Sequence, residues 1–283
     1  LPGAILLGVS GWSYQDWEGL AYPSPKPKGF DALAYIAPYV DFIEINSTFY
    51  NPSSEKNARS WVARTRDVPD FCFAVKLWQK LSHETDWTVS DLSAARVVPD
   101  ALAAEGMLAA CLLQFPWSFK RDDDNRRRLG RLADELAGLP LAVEFRHSSW
   151  DRPEVYEAFL ERGIAFVNID QPVIGAALGP TDAVTAGFGY CRLHGRNLER
   201  WIEGGRDDRY NYLYKEEELR PWAERLRKMA EECGVVYLAA NNHFKAKALV
   251  NRAQLGKLLG QKVRVPPPLR EGYPLLVNFT NSE

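Results

Sequence analysis

The chain has 283 residues, enough for one large domain or two small ones. Its 46% hydrophobic and 12% aromatic content describes a globular chain with a large core, and a formal net charge of −2 gives no global electrostatic case for DNA, RNA or an anionic membrane. No apolar run approaches the roughly 20 residues that span a bilayer, so neither a membrane nor a nucleic acid is an expected partner.

Eight short apolar runs, several rich in Val, Ile or aromatics, read as strands. In chain order they are ILLGV (5–9), DFIEI (41–45), CFAVK (72–76), ACLLQF (110–115), LAVEF (141–145), AFVNID (165–170), GYCRLH (189–194) and VVYLAAN (235–241). Helical patterning fills most of the segments between them. Residues 126–139 place Leu129, Leu132, Leu136 and Leu139 at steps of three and four. Residues 153–162 carry Val155, Phe159 and Leu160 and close on Gly163, and residues 216–232 carry Leu219, Trp222, Leu226 and Met229 and close on Gly234. Strands alternating with helices predict a parallel sheet, and eight of them in one chain predict a single TIM-like (β/α)8 barrel over residues 1–262. A doubly wound open sheet competes, but no glycine-rich dinucleotide fingerprint follows the first strand. Residues 263–283 contain PPP and are expected to pack on the barrel or to fray.

Cys72, Cys111, Cys191 and Cys233 form no CxxC pair, and three of them lie in apolar runs. They read as reduced residues of a cytoplasmic protein, not as a zinc knuckle.

In such barrels the site lies at the carboxyl ends of several strands at once. Here strand 2 ends with Glu44 and Asn46, strand 3 with Lys76, strand 4 with Gln114, and strand 5 with Glu144 and Arg146. Strand 6 ends with Asn168 and Asp170, strand 7 with Arg192 and His194, and strand 8 with Asn241. These residues alternate with apolar ones, so the polar face of each strand is expected to point into the barrel near its upper rim. A single polar residue there is as readily a hydrogen-bonded plug; polar ends on seven strands point to a pocket. His83, His147, His194 and His243 also follow strands, and His194 shares a face with Arg192. Trp12, Tyr50 and other aromatics crowd the same ends, either as local packing anchors or as stacking surfaces for a ring.

The expected catalytic set is Glu144, His194, Glu44 and Asp170, with Glu144 or Glu44 as base or nucleophile and His194 as partner acid. The expected ligand-binding set is Lys76, Arg146, Arg192, His147, Asn46, Gln114, Asn241, Trp12 and Tyr50. Its three cations suit a phosphate or carboxylate, unless they serve only to neutralise Glu44, Glu144 and Asp170. The reading is an enzyme (hydrolase, lyase or isomerase) acting on an anionic, ring-containing small molecule such as a sugar phosphate, with no cofactor. One alternative is a divalent-metal isomerase or phosphodiesterase-like enzyme using Glu44, Glu144, Asp170 and His194, although the nearby cations compete for those carboxylates. The other is a metabolite-binding protein without turnover.

The chain also resembles the DUF72, or YecE-like, family. The resemblance is carried by GVSGWSYQDWEGLAYP (8–23), IEINSTFY (43–50), FAVK (73–76), LLQFPWSF (112–119), VEFRHSSW (143–150), YCRLHGR (190–196) and NNH (241–243), in that order along nearly the whole chain. It implies a TIM-like barrel and supports the site more than any particular reaction. Departures at LAYP, at Trp117 and at Ala240 alter expected pocket walls and leave the charged residues in place.

Overall fold

Short runs of Val, Ile, Leu and aromatic residues bury best as strands covered on both faces, and all eight runs do so. A computed structural model describes residues 2–199 and 209–279. The strands β1 (Ala4–Ser10), β2 (Phe42–Ile45), β3 (Cys72–Lys76), β4 (Leu108–Gln114), β5 (Leu141–Glu144), β6 (Ala165–Asp170), β7 (Phe188–Leu193) and β8 (Val235–Ala240) form a closed parallel barrel in sequence order. β8 closes it on β1, with Ala4 opposite Val235 and Val9 opposite Ala240. The fold is therefore the single (β/α)8 barrel that the alternation predicts.

The covering helices are α1 (Ala32–Ile36), α2 (Glu55–Thr65), α3 (Val89–Ala104), α4 (Asp123–Glu135), α5 (Pro153–Arg162), α6 (Glu216–Glu232) and α7 (Lys247–Leu258). Local chemistry sets their ends. Thr88 and Asp91 form a reciprocal capping box at the start of α3. Gly163 ends α5 at φ 64°, the left-handed turn its sequence position predicts. The pattern expected to run to Leu139 stops at Glu135, because Gly138 takes φ 87° and turns the chain into β5. No described helix is long and apolar enough to cross a membrane.

Inside the barrel, the Phe42 ring packs edge to face with Tyr190 and Tyr237, which lie tilted against each other, and the three form a floor. Gly8 lets that floor form, since a Cβ there would lie 2.6 Å from the Phe42 ring. The polar residues one step further along the strands stand above it.

The connection from β6 to β7, residues 171–187, has no helix. Asn168 holds it in place of one: its Oδ1 accepts from Thr181 and from Ala183 N, and its Nδ2 donates to Ala183 O. After α7 the chain returns along the barrel's outer layer. Val265, Leu269 of α8 (Pro267–Gly272), Leu276 and Phe279 are buried in one cluster with Trp17, Leu33 and Ile36.

Candidate functional site

Arg192 on β7 organises the mouth. It is buried to 1% exposure, and its two terminal nitrogens reach different carboxylates. Nη1 donates to Glu144 Oε2 at 2.7 Å and Nη2 to Glu44 Oε1 at 2.6 Å. Glu44 also accepts from Ser10 Oγ at 2.7 Å and from Tyr190 OH at 2.8 Å. Glu144 has Arg146 Nη2 at 2.7 Å and His194 Nε2 at 3.2 Å from its other oxygen, the latter a close contact without hydrogen-bond alignment. Strands β1, β2, β5 and β7 thus converge on one buried charge network.

The electrostatics follow. Burial alone would raise the Glu144 pKa, but Arg146 and Arg192 outweigh it and hold the carboxyl well below the usual range. Burial and the nearby Arg146 push His194 down to about 3, so its imidazole is neutral. Its Nδ1 accepts from Asn241 Nδ2 at 3.0 Å, which places the ring proton on Nε2, facing Glu144. Burial, reinforced by Arg192, lowers Lys76 to about 7 against the opposing pull of Glu144 and Glu44. Its ammonium sits 3.7 Å from the centre of the Phe49 ring, and no carboxylate among the described residues pairs with it.

Two chambers open above this network. The inner one, about 60 Å³, is lined by Tyr14, Asn46, Tyr50, Lys76, Arg192, Tyr210, Asn241 and His243. The outer one, about 420 Å³, is walled by Gln114, Trp117, Arg146, Gln171, Arg209 and Tyr210, among others. Tyr210 borders both. The outer chamber alone falls in the usual size range of small-molecule sites. A groove of about 410 Å³ between α4 and α5 holds none of the candidate residues.

Ten of the candidates meet at this mouth: Glu44, Asn46, Tyr50, Lys76, Gln114, Glu144, Arg146, Arg192, His194 and Asn241. Asp170 does not join them, which corrects the expectation that β6 turns its polar face inward. Its Oδ1 accepts from Arg196 Nε and Tyr214 OH, each at 2.8 Å, and its Oδ2 from Arg196 Nη2 and Trp222 Nε1, each at 2.7 Å. Trp222 belongs to α6, so Asp170 faces the outer layer, as Asn168 does. The register is the reason: Val167 and Ile169 stand opposite Tyr190 and Arg192, which point inward, so Asn168 and Asp170 between and beyond them point outward. Gln171, the next residue, takes the inward place and accepts from Arg146 Nη1 at 2.8 Å. His147 stands on the rim, bonded to Ser149 and 5.3 Å from the Trp117 ring. Trp12 packs edge-on against Trp61 and lines neither chamber.

Ser10, Tyr190, Gln171 and Tyr210 were not among the expected site residues. Strand parity could have found two of them: Ser10 follows Gly8 by two positions, and Tyr190 precedes Arg192 by two.

Among the described residues, no three His, Cys, Asp or Glu side chains are grouped to share a metal ion. Asp170 is on the wrong side of β6, and both mouth glutamates are engaged by guanidinium groups, so the residues present do not fit the divalent-metal alternative.

A closed (β/α)8 barrel with a buried ion network beneath a two-chambered mouth is the class of protein these features define. The chain belongs to the family described as "Protein of unknown function DUF72", whose model matches residues 6–272. It is 29% identical over 272 residues to the UPF0759 protein YunF of Bacillus subtilis, covering 90% of this chain and 94% of that one. Among solved structures it is similar to a DUF72 family protein of Thermotoga maritima (33% identity, TM-score 0.79, 91% of this chain and 100% of that one). A DUF72 family protein of Enterococcus faecalis is similar too (25% identity, TM-score 0.79, 93% and 98% covered).

Proposed function

We propose that the chain is an enzyme that binds an anionic, ring-containing small molecule at the barrel mouth and moves a proton on it. The charge balance of the mouth carries this reading. Two carboxylates, Glu44 and Glu144, face three cationic side chains, Lys76, Arg146 and Arg192, and Arg209 adds a fourth on the outer wall. The glutamates are taken up by the two inner arginines, which leaves the Lys76 side for a ligand's phosphate or carboxylate. Trp117 and Tyr210 supply aromatic faces on the outer chamber, which has room for a sugar or other ring.

The roles differ from those the residue types alone suggest. Glu144, held far below the usual carboxylate range, suits a counter-ion, and it is not the raised acid that glycoside hydrolysis needs. A neutral His194, with Nδ1 held by Asn241 and Nε2 facing Glu144, suits orientation of those two side chains. Lys76, lowered to about 7, is the group matched to proton transfer near neutral pH. A metabolite-binding protein without turnover is the second reading, favoured by the engagement of both mouth glutamates. A reducing, cytoplasmic setting suits the four unpaired cysteines, of which Cys111 and Cys191 are buried.

Thermal shift with inorganic phosphate, ribose 5-phosphate and ribose tests the binding. We expect the two anions to raise Tm, ribose to have no effect, and Lys76→Met to lose most of the response while remaining folded. An equal response to ribose, or none to any anion, would overturn the reading. Product analysis on the ligand that binds best then separates turnover from binding alone.

A further inference from the structure

Lys76 differs from the two inner arginines of the mouth. Arg146 and Arg192 lie in ion pairs, whereas Lys76 rests on the Phe49 ring and has no carboxylate partner among the described residues. It lines the inner chamber with two buried polar atoms that lack partners among the described residues: Asn46 Oδ1, an acceptor, and Arg192 Nε, a donor. Unsatisfied buried donors and acceptors are rare, and a pair of them beside one cavity marks a place where a ligand completes the bonding. Arg192 Nε–H matches an anionic oxygen, and Asn46 Oδ1 matches an N–H or O–H. A lysine with a cation beside it and no anion against it serves as an amine nucleophile better than as a counter-ion.

We propose that Lys76 is a carbonyl-reactive amine, forming a Schiff base in the inner chamber with a small aldehyde or ketone that carries a carboxylate or phosphate. This rests on the reading of the mouth as an anion-binding site and narrows its substrate class. The lone pair of neutral Nζ attacks the carbonyl carbon, and the carbonyl π pair moves to oxygen. Proton transfer from nitrogen to that oxygen gives a carbinolamine. Uptake of one proton from solvent expels its hydroxyl as water while the nitrogen lone pair forms C=N. The product is a protonated Schiff base, and nothing is oxidised or reduced. Asn46 Oδ1 accepts from the iminium N–H, and Arg192 Nε–H donates to the substrate's anion. The near-neutral pKa of about 7 supplies the free amine this needs.

Glyoxylate, an anionic aldehyde small enough for a chamber of about 60 Å³, is the probe. The intact chain is incubated with glyoxylate and cyanoborohydride at neutral pH, where hydride reduction of the C=N leaves a stable carboxymethyl group, and each lysine is followed by peptide mass spectrometry. We expect Lys76 to be modified about tenfold faster than surface lysines, because far more of it is unprotonated. We expect inorganic phosphate to reduce that preference, and acetaldehyde, which lacks the anion, to show a smaller one. Comparing lysines within one protein requires no variant to fold. If Lys76 reacts no faster than surface lysines while phosphate still raises Tm, the Schiff-base inference is overturned and the anion site stands. If both responses are missing, both fall.

Discussion

Arg192 is the residue on which the mouth depends. It ties Glu44 of β2 to Glu144 of β5, and among the described residues it is the only cation paired with Glu44, whereas Glu144 also has Arg146. Removing one partner of such a group costs more than the group contributes net, because the remaining charges stay desolvated. Arg192→Met should therefore lower stability at pH 7 by about 3–5 kcal/mol, read from urea unfolding. The deficit should shrink in acid, for two reasons of opposite sign. In the parent chain Glu144 is depressed below its ordinary 4.5, so the unfolded state binds more protons there, and stability is lost as pH falls below that value. In the variant, Glu44 stays buried without its paired cation, so neutralising it in acid relieves an uncompensated charge. Parallel stability curves from pH 7 to 4 would show that Arg192 is not their counter-ion.

At the scale of the element, β6 decides which polar residues belong to the site. Asp170 is an anchor for Arg196, Tyr214 and Trp222, and Asn168 holds the helix-free connection. Asp170→Asn puts an amide NH2 against two of the four donors and should destabilise the fold by about 2–3 kcal/mol while leaving the phosphate-induced shift in Tm unchanged. Loss of that shift at intact stability would return Asp170 to the binding site. The same strand shows where the sequence was legible and where it was not. All eight strands could be read, because a buried parallel strand is a short apolar run whatever it packs against. Glu44, Lys76, Glu144 and Arg192 could be assigned to the mouth because Ile43, Val75, Val143 and Leu193 fix the opposite face against the helices. On β6, Val167 and Ile169 show the same alternation but fill the interior, and the polar partners face outward. Periodicity reports that the two faces differ; it does not say which is inside. The clue lay in residues 171–187, where Pro172, Gly175, Gly179, Pro180 and Gly187 allow no helix to supply an apolar cover. Tyr210 was beyond reach, since a loop residue that borders two chambers has no periodicity to place it.

For the molecule as a whole, the barrel concentrates ionisable groups at one end, and folding must accommodate them. The floor of Phe42, Tyr190 and Tyr237 gives the network a base that excludes water, which strengthens the ion pairs and penalises the ammonium that has no carboxylate partner. Lys76 therefore leaves its mark on global stability. Its value falls from an ordinary 10.5 to about 7 on folding, so between those limits the unfolded chain binds a proton that the folded chain does not. Stability attributable to Lys76 should thus rise from pH 7 toward 10.5, and below pH 7 its penalty is fully present and constant. Lys76→Met removes the titrating group while keeping the apolar stem against Phe49. The variant should be more stable than the parent at pH 6, by on the order of 3 kcal/mol once partial exposure is allowed for, and the gap should close as pH climbs. Anion binding should move the other way: the parent's phosphate affinity should weaken as pH rises through 7, where Lys76 loses its charge, whereas the variant's should be lower and nearly flat after correction for phosphate's own ionisation. Urea unfolding and calorimetric titration at half-unit steps from pH 6 to 9 measure both. A parent and variant that differ by a constant in both would mean that Lys76 stays protonated throughout and serves the mouth only as a fixed charge.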